Sequence, residues 1–305
     1  MAVVDIGTNS TRLLIADVGD DGTLEELQRE SIVTRLGAQV DATGRLRDDA
    51  MQRVFDTLAR FRGLIDEQGA TATTAVLTSA VRDAANGPEF ASAVRERYDL
   101  DARTIGGDEE AALTFAGATS ERSDTGEEVL VVDIGGGSTE FVTGSKGAVD
   151  FHVSTQAGVV RQTERHLEHD PPRRDEIGRL RREVAQVIDD NVPAEHRRRV
   201  ALGIAVAGTA TSCAAIELGL DPYDRALVHG HVLRRTICTD ILGRLSRLTD
   251  AQRRAVTGLQ PDRAPTIVAG VAMLLEVMDA FGLEAIEVSE HDILRGAALR
   301  LASPG

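Results

Sequence analysis

A short apolar run that ends in Asp-Ile-Gly and turns into polar residues occurs twice in the chain. The first copy is Ala2-Val3-Val4-Asp5-Ile6-Gly7-Thr8-Asn9-Ser10. The second is Leu130-Val131-Val132-Asp133-Ile134-Gly135-Gly136-Gly137-Ser138. A second apolar segment follows each copy, Leu13–Ala16 in one and Phe141-Val142 in the other. An apolar run, a glycine-bearing turn and another apolar run predict strand, turn, strand. A third strand is predicted after each pair, near Leu27–Val33 and Val149–Ser154. The chain is therefore expected to build two similar halves.

Beyond each opening, helical spacing alternates with short apolar runs. Met51, Val54, Phe55, Leu58, Phe61, Leu64 and Ile65 line one helical face, with Asp48 as N-cap and Gly69 as stop. Then come a strand at Thr74–Leu77, a helix at Pro88–Tyr98, a strand at Ala102–Ile105 and a helix at Asp108–Gly117. The second half predicts helices near Val159–Leu167 and Asp175–Val187 and a strand at Val200–Val206. Helices near Ala210–Glu217, Val232–Leu245 and Pro265–Phe281, a strand at Ala285–Val288 and a helix at Ile293–Leu301 complete it. The polar stretch Ser120–Glu127 marks the boundary. It gives an N-terminal lobe over 1–122 and a C-terminal lobe over 123–290, with the last helix, about 291–305, packing back on the first. The predicted fold is two-lobed α/β, with Asp5 and Asp133 facing a central cleft.

Apolar residues make up 42% of the 305 and charged residues 27%, which excludes a disordered chain. No run reaches the roughly 18 apolar residues of a membrane span. No basic leader precedes Ala2, so a secretory signal is not expected. Cys213 and Cys238 make no disulfide framework and fit buried thiols in a reducing cytoplasm. The net charge of −15 argues against nucleic-acid and membrane partners. Among 34 basic residues Lys146 is the one lysine, a bias that fits genomic composition. An anionic substrate then requires a locally positive site of arginines, amides or a metal.

Three glycines in a row between two strands are costly to order. They make sense where backbone must approach a ligand, because successive N–H groups form a nest for phosphate. Gly135, Gly136, Gly137 and Ser138 are candidates for that role. Gly7, Thr8, Asn9 and Ser10, followed by Thr11 and Arg12, offer amide, hydroxyl and guanidinium donors in the other copy. Gly208, Thr209, Ala210 and Thr211 follow the strand Val200–Val206 and open a helix, whose free N–H groups favour phosphate. Asp133 and Asp5, at strand ends, are candidate holders of a cation or a water. A structural hairpin and a plain capped helix start are the simpler readings of these segments. His229-Gly230-His231 has ligand-type residues but no carboxylate or Cys partner at metal spacing.

These pieces together resemble the exopolyphosphatase and guanosine-pentaphosphate phosphohydrolase family, within the actin, sugar-kinase and chaperone-ATPase superfamily. The resemblance also draws on Thr34–Gly37, Thr78–Asn86, Gly107–Ala111, Gly158–Arg161 and Arg263–Gly270. It implies an actin-like, duplicated ribonuclease H-like fold. It makes Glu110 the general base that activates water and Arg35 and Arg82 substrate contacts. Glu140 matches an acidic position near the metal or the attacking water. Glu109 is adjacent to Glu110, but helix neighbours point about 100° apart, so one of the two is expected to face the site. The implied reaction is removal of terminal phosphate from inorganic polyphosphate with Mg²⁺, or Mn²⁺ in its place, by a cytoplasmic homodimer. The sequence ends soon after Ile293-Leu294-Arg295-Gly296, like the short two-domain actinobacterial exopolyphosphatases, which puts a preference for very long chains in doubt. Guanosine pentaphosphate hydrolysis, a superfamily kinase or ATPase, and a non-catalytic polyphosphate or nucleotide sensor are the competing readings.

Overall fold

The computed structural model describes residues 1–19, 22–123, 125–145 and 148–302. Asp124, inside the expected boundary stretch, Lys146 and the expected last-helix positions 303–305 lie outside the described residues. The chain forms two compact units. The first is Met1–Gly117 joined by the stretch from Ile293 onward, and the second is Ala118–Asp292.

The first unit holds β1 (Ala2–Ile6), β2 (Ser10–Val18), β3 (Leu24–Val33), β4 (Thr73–Leu77) and β5 (Asp101–Thr104), in sheet order β3-β2-β1-β4-β5. β1 pairs antiparallel with β2 and parallel with β4. Every residue of β1 is buried, as expected for a central strand covered on both faces. Strand alternation splits its side chains between two cores. Ala2, Val4 and Ile6 meet the helix Asp48–Glu67 through Val54, Leu58, Phe61 and Ile65. Val3 meets Leu113 of the helix Gly107–Thr119 and Leu294 of the C-terminal helix Ile293–Ala302. Asp5 shares the Val3 face.

The second unit holds β6 (Glu128–Ile134), β7 (Thr139–Ser145), β8 (Ala148–Thr155), β9 (Val200–Val206), β10 (Val232–Arg234) and β11 (Ala285–Val288), in order β10-β11-β9-β6-β7-β8. The five strands from β11 to β8 repeat the order and direction of the first sheet, and β10 adds an antiparallel edge. Its core is organised on the helix Ile267–Phe281, which packs against the helices Arg174–Asn191 and Arg235–Leu245. Most of the Ile267–Phe281 helix is buried, so it reads apolar on all sides rather than along one stripe.

Two local expectations are corrected. The long helix begins at Asp48 itself, with Arg47 extended at the cap position, so Asp48 and Asp49 serve the first turn, where a negative charge is favoured by the helix dipole. Val232–Leu245 is not one helix. Val232–Arg234 pairs with β11, and the helix starts at Arg235. No helix among the described residues is long and apolar enough to cross a membrane.

Candidate active site

In the first unit, β1 presents Asp5 one residue before its end, and β2 returns with Arg12 directly opposite. Arg12 donates to Asp5 Oδ2 from Nε at 2.8 Å and from Nη2 at 2.6 Å. The guanidinium read from sequence as a donor to an anion is thus engaged by Asp5, and any cation at Asp5 must compete with it. The turn between these strands is closed by the Gly7 N–H donating to Ser10 O at 3.0 Å. Its carbonyls are tied down from outside. Thr8 O accepts from Gly37 N at 2.8 Å, and Asn9 O accepts from Thr34 N at 3.0 Å and Arg35 N at 2.9 Å. Arg35 adopts φ +50°, in the left-handed region, which folds its segment onto the turn. A Cβ at Gly37 would lie 2.2 Å from Thr8 Cγ2, so any larger residue there would push the Thr8 side chain aside.

Glu110 lies in the first turn of Gly107–Thr119 and is buried, with 8% of its surface exposed. Arg82, from the short helix Ser79–Asp83, donates to Glu110 Oε2 at 3.0 Å and to Ile105 O at 3.1 Å. The expected substrate arginine therefore contacts the expected base. Glu109 faces elsewhere. Its Oε1 accepts from Arg103 at 2.6 Å and from Arg300 at 2.9 Å, which fastens the C-terminal helix within the unit.

The second unit repeats the first at the level of atoms. A Cβ at Gly7 would lie 3.1 Å from Ser10 O and 3.9 Å from a carboxylate oxygen of Asp5. At Gly135 the same distances apply to Ser138 O and Asp133. The slot opposite the aspartate is where the copies differ. Asp133 faces Glu140 across β6 and β7, where Asp5 faces Arg12. Both carboxylates are buried, and Ser154 Oγ donates to Glu140 Oε1 at 2.8 Å. Directly opposed side chains have Cβ atoms about 5 Å apart, and like charges there are unfavourable. Asp133 and Glu140 are the residues here that could hold a cation.

The helix Ala207–Leu218 starts directly after β9, with Ala207 at φ +63°. A non-glycine residue there marks a strained junction. Gly208 and Thr209 lie in the first turn, whose N–H groups have no partner inside the helix, whereas Ala210 and Thr211 sit one step further in. Arg263 covers this start: a Cβ at Gly208 would lie 1.4 Å from its Nη1. The sequence reading gave Arg263 no role. A glycine second in a helix, where alanine is a better former, was the available signal.

The two histidines around Gly230 part company. His231 Nε2 pairs with Glu217 at 2.8 Å, while the His229 ring lies 4.2 Å from that of His291. Folding also brings Glu121 near, so that ligand atoms of Glu121, His229 and His291 fall within 4.8 Å. His229 Nδ1 already accepts the Glu290 amide at 3.2 Å. Cys213 and Cys238 are free and buried. Burial pushes the Cys213 thiol well above its ordinary range and Cys238 to about 12, which makes neither a nucleophile at neutral pH.

Two sheets that share a five-strand order, each with an Asp one residue before the end of its central strand and a glycine turn after it, define a duplicated actin-like α/β protein of the phosphate-handling class. The sequence profile of the Ppx/GppA phosphatase family matches residues 3–302, and the chain belongs to that family. It is 37% identical to exopolyphosphatase 2 of Mycobacterium tuberculosis over 317 aligned residues, covering 99% of this chain and 98% of the relative. A solved exopolyphosphatase-like protein superposes with a TM-score of 0.90 at 34% identity, covering 98% of this chain and 97% of the other. The Aquifex aeolicus Ppx/GppA member superposes with a TM-score of 0.81 at 30% identity, covering 98% and 96%.

Proposed function

We propose that the chain is an exopolyphosphatase, releasing the terminal phosphate of inorganic polyphosphate by attack of water, with Mg²⁺ as its cation. The observation that carries this is the Gly135–Ser138 turn beside the Asp133–Glu140 carboxylate pair: an anion nest and a cation slot at the end of one hairpin. The similarity to a mycobacterial exopolyphosphatase along the whole chain supports the substrate.

The donor set fits Mg²⁺, since buried carboxylate oxygens suit a hard divalent cation and the opposed charges are offset by one. Asp133 and Glu140 would hold it, whereas Asp5, the third candidate ligand, is bridged by Arg12 within its own unit. Bound there, the ion would neutralise charge that develops on the phosphate oxygens. The chain's own residues do the rest. The amides of Gly135–Ser138, Gly7–Ser10 and the Gly208–Thr209 helix start orient phosphates. Arg35 and Arg263 add positive charge to a protein whose net charge is −15. Glu110, held by Arg82, accepts the proton of the attacking water. Positioning and electrostatics of this kind supply most of the rate enhancement in phosphoryl transfer.

The test is phosphate release from polyphosphates of graded length, run beside guanosine pentaphosphate and ATP, with and without Mg²⁺. Mg²⁺-dependent release from polyphosphate is expected. Release from guanosine pentaphosphate alone would make the chain a phosphohydrolase of that nucleotide, and ATP-dependent phosphoryl transfer would make it a kinase. Binding without release in every arm would make it a sensor.

A further inference from the structure

We propose that Arg161 is a positioning residue that aims the amides of the Gly135–Ser138 turn. The inference rests on reading that turn as a phosphate nest. Three successive carbonyls of the turn are tied to the segment that follows Gly158. Gly135 O accepts from Val159 N at 2.9 Å, Gly136 O from Val160 N at 2.9 Å, and Gly137 O from Arg161 Nε at 2.7 Å. In a planar trans peptide the C=O of one residue and the N–H of the next point in opposite directions. Fixing these carbonyls therefore turns the N–H groups of Gly136, Gly137 and Ser138 away from the helix Val159–His166, as one set of donors.

The duplicated unit shows what is unusual about Arg161. Asn9 is the counterpart of Gly137, and Asn9 O is held by two main-chain amides, Thr34 N and Arg35 N. In the second unit the guanidinium of Arg161, a residue 9% exposed, takes that place. The substitution falls where the chain needs it most. Gly136 and Gly137 leave the turn free to rotate its peptides, because glycine enters φ regions closed to other residues. A flip of the Gly137–Ser138 peptide would replace a donor with a carbonyl oxygen facing the anion. Gly158 closes the turn from behind, since a Cβ there would lie 2.4 Å from Gly136 C and O. Arg161 is the side-chain part of that clamp.

Arg161→Lys keeps the charge but not the Nε–H geometry, and is expected to lower kcat/KM for polyphosphate by about 10–100-fold, the size of one charge-assisted hydrogen bond. The pH profile of kcat should keep its shape, because the base is untouched. In the ligand-free variant the ¹H–¹⁵N resonances of Gly137 and Ser138 should shift or broaden. Guanidinium ion at millimolar levels should restore part of the activity of Arg161→Ala. Arg165→Ala, one turn along the same helix and paired with Glu183, serves as the charge-loss control and should behave as wild type.

Should the Arg161 variants weaken binding while the ligand-free turn resonances stay where they are, Arg161 would touch substrate directly and the positioning role would fall. Wild-type kinetics in Arg161→Lys would also overturn it. If the variants do not fold, orthophosphate titrated into the wild type decides. The Gly136, Gly137 and Ser138 amides must shift together, and no shift refutes the inference. A wild type that releases no phosphate from polyphosphate sinks the proposed function alone, because the ligand-free resonances still report on the turn.

Discussion

Gly208→Ala is expected to leave the fold intact and still disable the enzyme. The added methyl would lie 1.4 Å from Arg263 Nη1, 2.2 Å from Cζ and 2.9 Å from Nη2. Those atoms end a flexible side chain, so the guanidinium moves and the backbone does not. Alanine is a better helix former than glycine by up to about 1 kcal/mol. For a unit of this size that corresponds to a melting temperature unchanged or raised by about 3 °C. Activity should move the other way. A charge-assisted contact contributes about 1.5–3 kcal/mol, which at 1.36 kcal/mol per decade is about 10–150-fold in kcat/KM. The assay pairs thermal unfolding with phosphate release from polyphosphate for Gly208→Ala, Arg263→Ala and the double variant. The double variant should be no worse than the poorer single one, because both remove the same guanidinium from the same place. Full activity in Gly208→Ala, or additive losses in the double variant, would refute the assignment of Arg263 to the site.

Glu110→Gln should reduce turnover by about 10²–10⁴ while substrate binding persists, whereas Glu109→Gln should cost under about 1 kcal/mol of stability and leave turnover alone; equal kinetic effects would show that the base is misassigned. Glu140→Gln removes one charge of the buried pair, so the Mg²⁺ concentration for half-maximal activity should rise, measured by metal titration at saturating polyphosphate. Glu176 gives the acid limb of stability: burial opposes its ionisation, but the His169 ring and the Arg173 amide outweigh this and hold its carboxyl below the usual range. Its contribution is complete above the unfolded carboxylate range near pH 4.5 and fades as pH falls through the lowered value, so Glu176→Gln should flatten the acid side of a pH–melting curve.

The two sheets were legible because each Asp-Ile-Gly unit is local, a short apolar run closed by a glycine turn, and strand β1 lies within residues 2–6 of its motif. The pairing of Asp5 with Arg12 and of Asp133 with Glu140 was within reach too, since a four-residue turn fixes positions seven apart as cross-strand partners. β10 was read as helix because Val232-Leu233-Arg234 is too short to show alternation before the helical run begins. Arg161, Arg263 and the glycines 37 and 158 were read as motif members without a mechanism. Each acts on a segment distant in the chain, Arg161 on Gly137 for one, and periodicity carries no information about such contacts.

The Asp5–Arg12 and Asp133–Glu140 pairs occupy one register position in two copies of the same hairpin, so the copies carry opposite charge at that slot. A guanidinium at the second position would be a competitor for Mg²⁺ that never diffuses away, present at the effective concentration of a tethered group rather than that of the medium. Glu140→Arg would then give a folded protein in which added Mg²⁺ rescues activity weakly at any concentration. After duplication, the identity of a single side chain sets whether the slot opposite the aspartate is cationic or anionic.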